Sequence, residues 1–350
     1  MGESELIGAL DARVKRREER RAFFGQALGA AALGGAMLTA GRAGAQTATP
    51  TPTPSPSPSP TATSTTPILG PSDYLNFALN LEYLEANFYA FATTGAAIAS
   101  TLQGGVVTAG VQGAATGGRA VNFTDPVVAQ YAREIAADEL AHVTFLRSSI
   151  GALTVAQPAI DLSPAGAFTT AARAAGLVGG SATFDPYSSD ENFLLASFLF
   201  EDVGVTAYKS TTALLTSTLR EAAQGILATE AYHAAMIRGT LYRKGIQTPS
   251  LGLIEAAQKI SDARDTLDGS VTENLTLGYA PDDDQGITPT TNAAGETVSN
   301  IVPLNSNGLA YSRTSDRVLN ILYLNRAAVT SGGFFPAGVN GAIKTSAAAT

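Results

Sequence analysis

Four apolar stretches of matched length, each interrupted near its middle by a glutamate, limit what this chain can fold into more than any other feature. The first opens at Pro71-Ser72-Asp73 and runs to about Thr94, with Gly95 as its stop; its inward stripe reads Leu75, Leu79, Glu82, Tyr89. The second starts on the cap pair Asp125-Pro126 and ends near Gly151, with the stripe Val128, Tyr131, Ile135, Glu139, His142, Leu146. The third runs from Ser189-Asp190 to about Leu215 through Leu194, Phe198, Glu201, Val205 and Tyr208. The fourth runs from about Ser217 to Arg243 through Leu219, Ala223, Ile226, Glu230, His233, Ile237 and Leu241, with Gly245 beyond it. Steps of three and four between apolar positions are the helical period, so each stretch predicts a helix with one inward face. At 1.5 Å per residue such helices are roughly 33–40 Å long, and four of them predict an all-α protein built as an antiparallel four-helix bundle.

The connections differ in kind. A residue or two separate the third and fourth helices, which makes them antiparallel neighbours. Some 37 residues, Ala152 to Ser188, lie between the second and third, enough for a long crossover from one end of the bundle to the other. Gly95 to Thr124, rich in Gly, Val and Thr, is expected to form a small β-hairpin. The bundle is thus expected over residues 71–248. A mixed extension follows over 249–350, with helices at about Leu251 to Asp265 and Ser315 to Ala328 and a tail ending in Gly332-Gly333-Phe334-Phe335-Pro336. The run Asp282-Asp283-Asp284 is expected to be a solvated acidic loop rather than a cation site. No strand, glycine-rich loop and helix combine into a phosphate site.

Ahead of the bundle the chain changes character twice. Lys15, Arg16, Arg17, Arg20 and Arg21 form a basic segment, Phe23 to Ala40 carries no charge, and Ala43-Gly44-Ala45 supplies small residues for cleavage. Arg20-Arg21 followed by Ala22-Phe23-Phe24 resembles a twin-arginine signal, so residues 1–45 are expected to be an export signal read by the twin-arginine machinery, which moves proteins already folded. Its 18 apolar positions are barely enough to span a bilayer and are diluted by Gly and Ala, so cleavage without a permanent membrane span is the expectation. The destination is then periplasmic, cell-surface or extracellular. Residues 46–70 hold a Thr-Pro/Ser-Pro repeat, an extended spacer in which proline fixes φ and removes backbone donors.

Composition narrows the chemistry. There is no cysteine, which excludes disulfides, thiolate-bound metals and a thiol nucleophile. A net charge of −8 excludes non-specific binding to nucleic acid. Only two histidines are present, and both sit in one local pattern: Glu139-Leu140-Ala141-His142 and Glu230-Ala231-Tyr232-His233. Residues i and i+3 share a helix face, so each pair aims a carboxylate and an imidazole into the same space. One such pair is weak evidence; two on matched helices are not. The other two helices each contribute a mid-stripe glutamate followed seven residues later by tyrosine, Glu82 with Tyr89 and Glu201 with Tyr208. The order Glu…Tyr, then Glu-x-x-His, therefore occurs twice, as a dinuclear site with a pseudo-twofold axis requires.

Electrostatics says what such a core needs. Four carboxylates facing one another in an apolar bundle repel, and burying even one ion costs several kcal/mol. Two divalent cations cancel four negative charges, and two neutral imidazoles complete the donor set. Hard oxygen with imidazole nitrogen suits iron or manganese, with zinc as the further option. Asp138, directly before Glu139, is placed to accept a hydrogen bond from the free ring nitrogen of His233. Thr229 holds the matching place before Glu230 and is the weaker partner for His142. Tyr89 and Tyr208 are candidate catalytic-site tyrosines that would bond metal-bound carboxylates, or else plain core residues. Glu85, one turn beyond Glu82, is expected to face water rather than to add a ligand. Asp202, Glu134 and Glu221 are expected to be surface or helix-pair charges.

This constellation is similar to the ferritin-like superfamily of di-iron and di-manganese carboxylate proteins, in which two helices give one Glu each and two give Glu-x-x-His. The resemblance covers about residues 71–245 and implies that Glu82, Glu139, His142, Glu201, Glu230 and His233 are the metal ligands. Leu79-Asn80-Leu81-Glu82-Tyr83-Leu84-Glu85 and the tail Gly332 to Gly341 further resemble an exported subfamily that includes plant desiccation-related proteins. The implied activity is redox chemistry with dioxygen or peroxide, ferroxidase or catalase-like, in stress protection. The alternative it leaves is a secreted protective protein whose metals only hold the bundle together. Thr229 departs from the many relatives that carry Asp there. The long loops are expected to obstruct a closed storage cage, while a smaller homo-oligomer is compatible with the sequence.

Overall fold

The computed structural model describes residues 69–106, 108–269 and 284–349. The expected export signal, the spacer as far as residue 68, and Asp282-Asp283 lie outside the described residues. Four long helices carry the architecture: α1 (Pro71–Thr94), α2 (Pro126–Ile150), α4 (Asp190–Thr212) and α5 (Ser217–Gln247), with the short α3 (Thr169–Ala174) inside the crossover. The extension adds α6 (Leu253–Asp268) and α7 (Ser315–Tyr323).

Helix ends fall where the local chemistry puts them. Gly70 donates its N–H to the Asp73 side chain at 2.8 Å ahead of Pro71. The far end of α1 is closed by Gly95 at φ 78°, a left-handed geometry that glycine adopts without strain. Asp125 accepts from the N–H groups of Val127 (2.9 Å) and Val128 (3.4 Å) at the start of α2, and Ser189 accepts from Asn192 at the start of α4. The fourth bundle helix passes through Gly245 and ends two residues later than that glycine, and the loop before it spans residues 213–216 rather than one or two. α1 packs mainly on α2, and α4 on α5.

The bundle helices are not equally wetted. Of the 25 residues of α2 only eight are buried, as a one-sided helix requires. In α1, 16 of 24 are buried, and in α4, 18 of 23. Their outer faces are covered by the crossover and the extension. Asn76 accepts the Val155 N–H and donates to the Leu153 carbonyl, and Asn87 donates to the Gln157 side chain at 2.9 Å. The expected hairpin after α1 does not form. Instead β1 (Ala115–Thr116) pairs in parallel with β2 (Ile160–Asp161) of the crossover, so the two long connections stitch to each other. The only hairpin among the described residues joins β3 (Thr290–Thr291) to β4 (Thr297–Val298) in the extension.

The extension belongs to the same compact unit as the bundle, Leu69–Thr350. Phe334 is fully buried, 5.0 Å from the Phe200 ring and 5.2 Å from Phe168. Asn340 exchanges hydrogen bonds with Asn80 of α1, its N–H to Asn80 Oδ1 at 3.0 Å and Asn80 Nδ2 to its carbonyl at 2.9 Å. A buried ionic lattice does the rest. Asp202 takes Arg238 and Arg264 at 2.8 Å each, and Asp284 takes Arg264 at 2.7 Å and Arg313 at 2.9 Å. Arg313 also reaches Asp268 at 2.6 Å. Two expectations are thereby corrected: Asp202 is not a surface charge, and Asp284 is not part of a solvated loop, because each neutralises buried guanidinium groups. No helix among the described residues is long and apolar enough to cross a membrane.

Candidate metal centre

The six side chains singled out by the sequence meet in the middle of the bundle. α1 gives Glu82, α2 gives Glu139 and His142, α4 gives Glu201, and α5 gives Glu230 and His233. All four glutamates are 0% exposed, His233 is 1% and His142 is 8%. They fall into two groups whose ligand atoms lie within 4.8 Å of one another: Glu82, Glu139, His142 and Glu230, and Glu139, Glu201, Glu230 and His233. Glu139 and Glu230 belong to both, and the two imidazole rings stand 6.3 Å apart.

Both rings turn Nδ1 inward. His142 Nδ1 lies 3.2 Å from Glu82 Oε2 and 3.5 Å from both Glu139 Oε2 and Glu230 Oε1. His233 Nδ1 lies 3.0 Å from Glu139 Oε1 and 3.4 Å from Glu201 Oε2. These are ion-pair distances, but the approach is out of line for N–H···O bonding at His233. Its Nδ1, both oxygens of Glu139 and of Glu230, and Glu201 Oε2 have no hydrogen-bond partner among the described residues. Buried polar atoms left unpaired in this number are costly, and here they converge on shared points instead of on each other.

The charges are correspondingly strained. Burial lifts the Glu82 carboxyl, and although His142 pulls it back, it stands at about 7. Burial, then the carboxylates of Glu139 and Glu85, hold Glu230 well above the ordinary range; burial also raises Glu201. Glu139 goes the other way: burial opposes its ionisation, but the close approach of the His142 and His233 rings outweighs that and holds it below the usual range. Burial disfavours charged rings at both histidines, yet the surrounding carboxylates prevail and push His142 up to about 12 and His233 up to about 11. Without cations, the core is held together by protons.

The supporting residues are asymmetric. Tyr89 donates its hydroxyl to Glu201, and Tyr208 donates to Glu82, so each tyrosine holds the carboxylate of the opposite helix pair. His233 Nε2 lies 3.3 Å from Asp138 Oδ2. Once the ring is neutral, an N–H there leaves Nδ1 with its lone pair facing the centre. The expected counterpart is not formed: the Thr229 hydroxyl donates to the Gly225 carbonyl of its own helix at 3.2 Å. Glu85 corrects the expectation that it faces water, since it is only 3% exposed and lies on the site face of a helix that has little outer face left. The signal that could have found it was the apolar run on all sides of it, Phe77 to Tyr89.

Hard oxygen donors, two imidazole nitrogens and unpaired inward lone pairs are the donor set that iron or manganese takes, so the residues present fit a pair of such ions. Fold and centre together define a four-helix carboxylate–histidine protein. The chain belongs to the ferritin-like family: the family model for the ferritin-like domain matches residues 71–243. It is 32% identical over 253 residues to the desiccation-related protein PCC13-62 of Craterostigma plantagineum, covering 70% of this chain and 75% of that protein. It is 27% identical over 277 residues to the ferritin-like catalase Nec2 of Nesocodon mauritianus, covering 77% and 84% respectively.

Proposed function

We propose that this protein is an exported dinuclear-metal oxidoreductase, using iron or manganese to act on hydrogen peroxide or dioxygen in stress protection. The observation that carries the reading is the set of buried, unpartnered carboxylate and imidazole atoms converging from all four helices. Glu82 and His142 would hold one ion, Glu201 and His233 the other, and Glu139 and Glu230, common to both groups, would serve the pair. When bound, the two ions supply a reversible two-electron store next to a small oxidant. The chain's own residues do the rest. Tyr89 and Tyr208 fix the carboxylates they touch, Asp138 fixes the His233 tautomer, and the apolar wall excludes bulk water. The likeness to a protein named as a ferritin-like catalase favours peroxide as the first substrate to try. Export rests on the twin-arginine-like segment at Arg20-Arg21, whose pathway suits a protein that folds around its metal before leaving the cell.

The likeness to a desiccation-related protein supports the second reading, in which the ions only balance buried charge and the protein protects without turnover. Protein purified from its own host, analysed for metal and assayed for oxygen evolution from peroxide and for ferrous oxidation, separates the two. Metal with turnover of either oxidant supports the first reading. Metal without turnover of either leaves the second.

A further inference from the structure

One buried acid is left over after the six-residue centre is assembled. Glu85 is 3% exposed, and its Oε2 has no hydrogen-bond partner among the described residues. It follows Glu82 by one turn and precedes Tyr89 by another, so the three share the face of α1 that looks into the centre. Burial, followed by the charges of Glu139, Glu201 and Glu82, holds its carboxyl well above the ordinary range, and His142 offsets them only in part.

What lies opposite explains how it fits. A Cβ placed on Gly204 of α4 would stand 2.5 Å from Glu230 Oε2 and 3.4 Å from Glu85 Oε1. The two carboxylates thus close on the one position of α4 that offers no side chain. The internal repeat sharpens this: Glu82 and Glu201 are equivalent positions, and three residues on stand Glu85 and Gly204. One half of the repeat carries an extra acid, and the other half lacks the side chain that would exclude it. Glycine inside a helix costs about 1 kcal/mol against alanine, so a requirement for space accounts for it better than helix propensity does.

We propose that Glu85 is a seventh metal ligand, a carboxylate able to add an oxygen donor beside Glu230 and so make the two metal positions inequivalent. The proposal rests on the dinuclear reading above. Charge gives it a purpose. Four carboxylates balance two divalent ions, and a fifth is in excess until the total metal charge rises above four. A ligand of this kind favours the oxidised pair over the reduced one.

The test is Glu85→Gln, which keeps size and removes the anionic donor, with Gly204→Ala as a second variant that crowds the space the Glu230 and Glu85 carboxylates share while keeping both acids. Each full-length protein is loaded with Mn(II) or Fe(II) and titrated against a competing chelator, and X-ray absorption counts the donors on the bound ions. Thermal unfolding of the metal-free proteins checks the fold; Glu85→Gln is expected to be no less stable than the parent, because it removes an unbalanced buried acid. The expected result is weaker binding by about ten-fold or more in both variants. Oxidised Glu85→Gln should also lose one oxygen donor per pair of ions. If the parent binds two ions and Glu85→Gln matches it in affinity and donor count, the seventh-ligand proposal is overturned while the dinuclear reading stands. If the parent binds none, both fall together.

Discussion

Loading the centre with metal must expel protons, and the structure says roughly how many. In the metal-free protein His142 titrates at about 12 and His233 at about 11, against an ordinary 6.5, so both rings are charged at pH 7. A ring must be neutral to bind a metal, so these two give up two protons. Glu82, at about 7, is half protonated at that pH and gives about half a proton more. Glu230, which burial and the neighbouring carboxylates of Glu139 and Glu85 hold well above its ordinary range, moves the count in the same direction. The sum is about two and a half protons or more per pair of ions near pH 7, so the logarithm of the apparent affinity should climb by a similar amount per pH unit. For the stability of the metal-free protein the sign is opposite. An acid whose folded pKa is raised contributes stability that is complete below its unfolded value, near 4.5 for Glu82, and is lost as pH rises through about 7. For Glu82 that shift is worth about 3 kcal/mol. The raised histidines contribute below pH 6.5 and lose that contribution as pH climbs through about 11 to 12. The metal-free protein should therefore soften from mildly acidic toward alkaline pH while metal binding tightens. Isothermal titration with Mn(II) in buffers of different ionisation enthalpy reads the protons directly. Fewer than one proton released would mean that the rings are already neutral, and the electrostatic reasoning would be wrong.

Three substitutions probe separate parts of the account. Tyr89→Phe removes one hydrogen bond to Glu201, so metal stoichiometry by elemental analysis should stay the same while denaturant unfolding shows a loss of about 1 kcal/mol. Asp138→Asn weakens the partner of His233 Nε2 and should cost about 10- to 100-fold in metal affinity by chelator competition, with little change in secondary structure by circular dichroism. Arg264→Ala leaves Asp202 and Asp284 buried and under-compensated, and calorimetry should show a loss of about 3–5 kcal/mol although the residue touches no proposed ligand.

Much of this was legible in the residues, for identifiable reasons. Helices α1, α2, α4 and α5 declare themselves through apolar period and caps, because a bundle helix must bury a stripe and satisfy its ends locally. The six central side chains declare themselves because a glutamate in an apolar stripe has no cheap alternative to a partner. Glu85 did not, because an outward place for it assumed a one-sided α1, whereas the tail brings Asn340 to Asn80 and the crossover sheathes the same helix. Asp202 and Asp284 were misjudged for a related reason. Their arginines lie 20 to 62 residues away, and no local pattern pairs Arg238, Arg264 and Arg313 with them. The β1–β2 pairing matches residues 45 apart, Ala115 with Ile160 and Thr116 with Asp161, a long-range match that two-residue strands cannot advertise.

The central claim, that two ions occupy the space between these six side chains, is tested most directly by anomalous X-ray diffraction at the metal edge on crystals of the protein from its own host. The account predicts two peaks per chain, one reached by His142 and Glu82, the other by His233 and Glu201, with Glu139 and Glu230 between them. A single peak elsewhere on the molecule, or an interior filled by water hydrogen-bonded to all six groups, would contradict it.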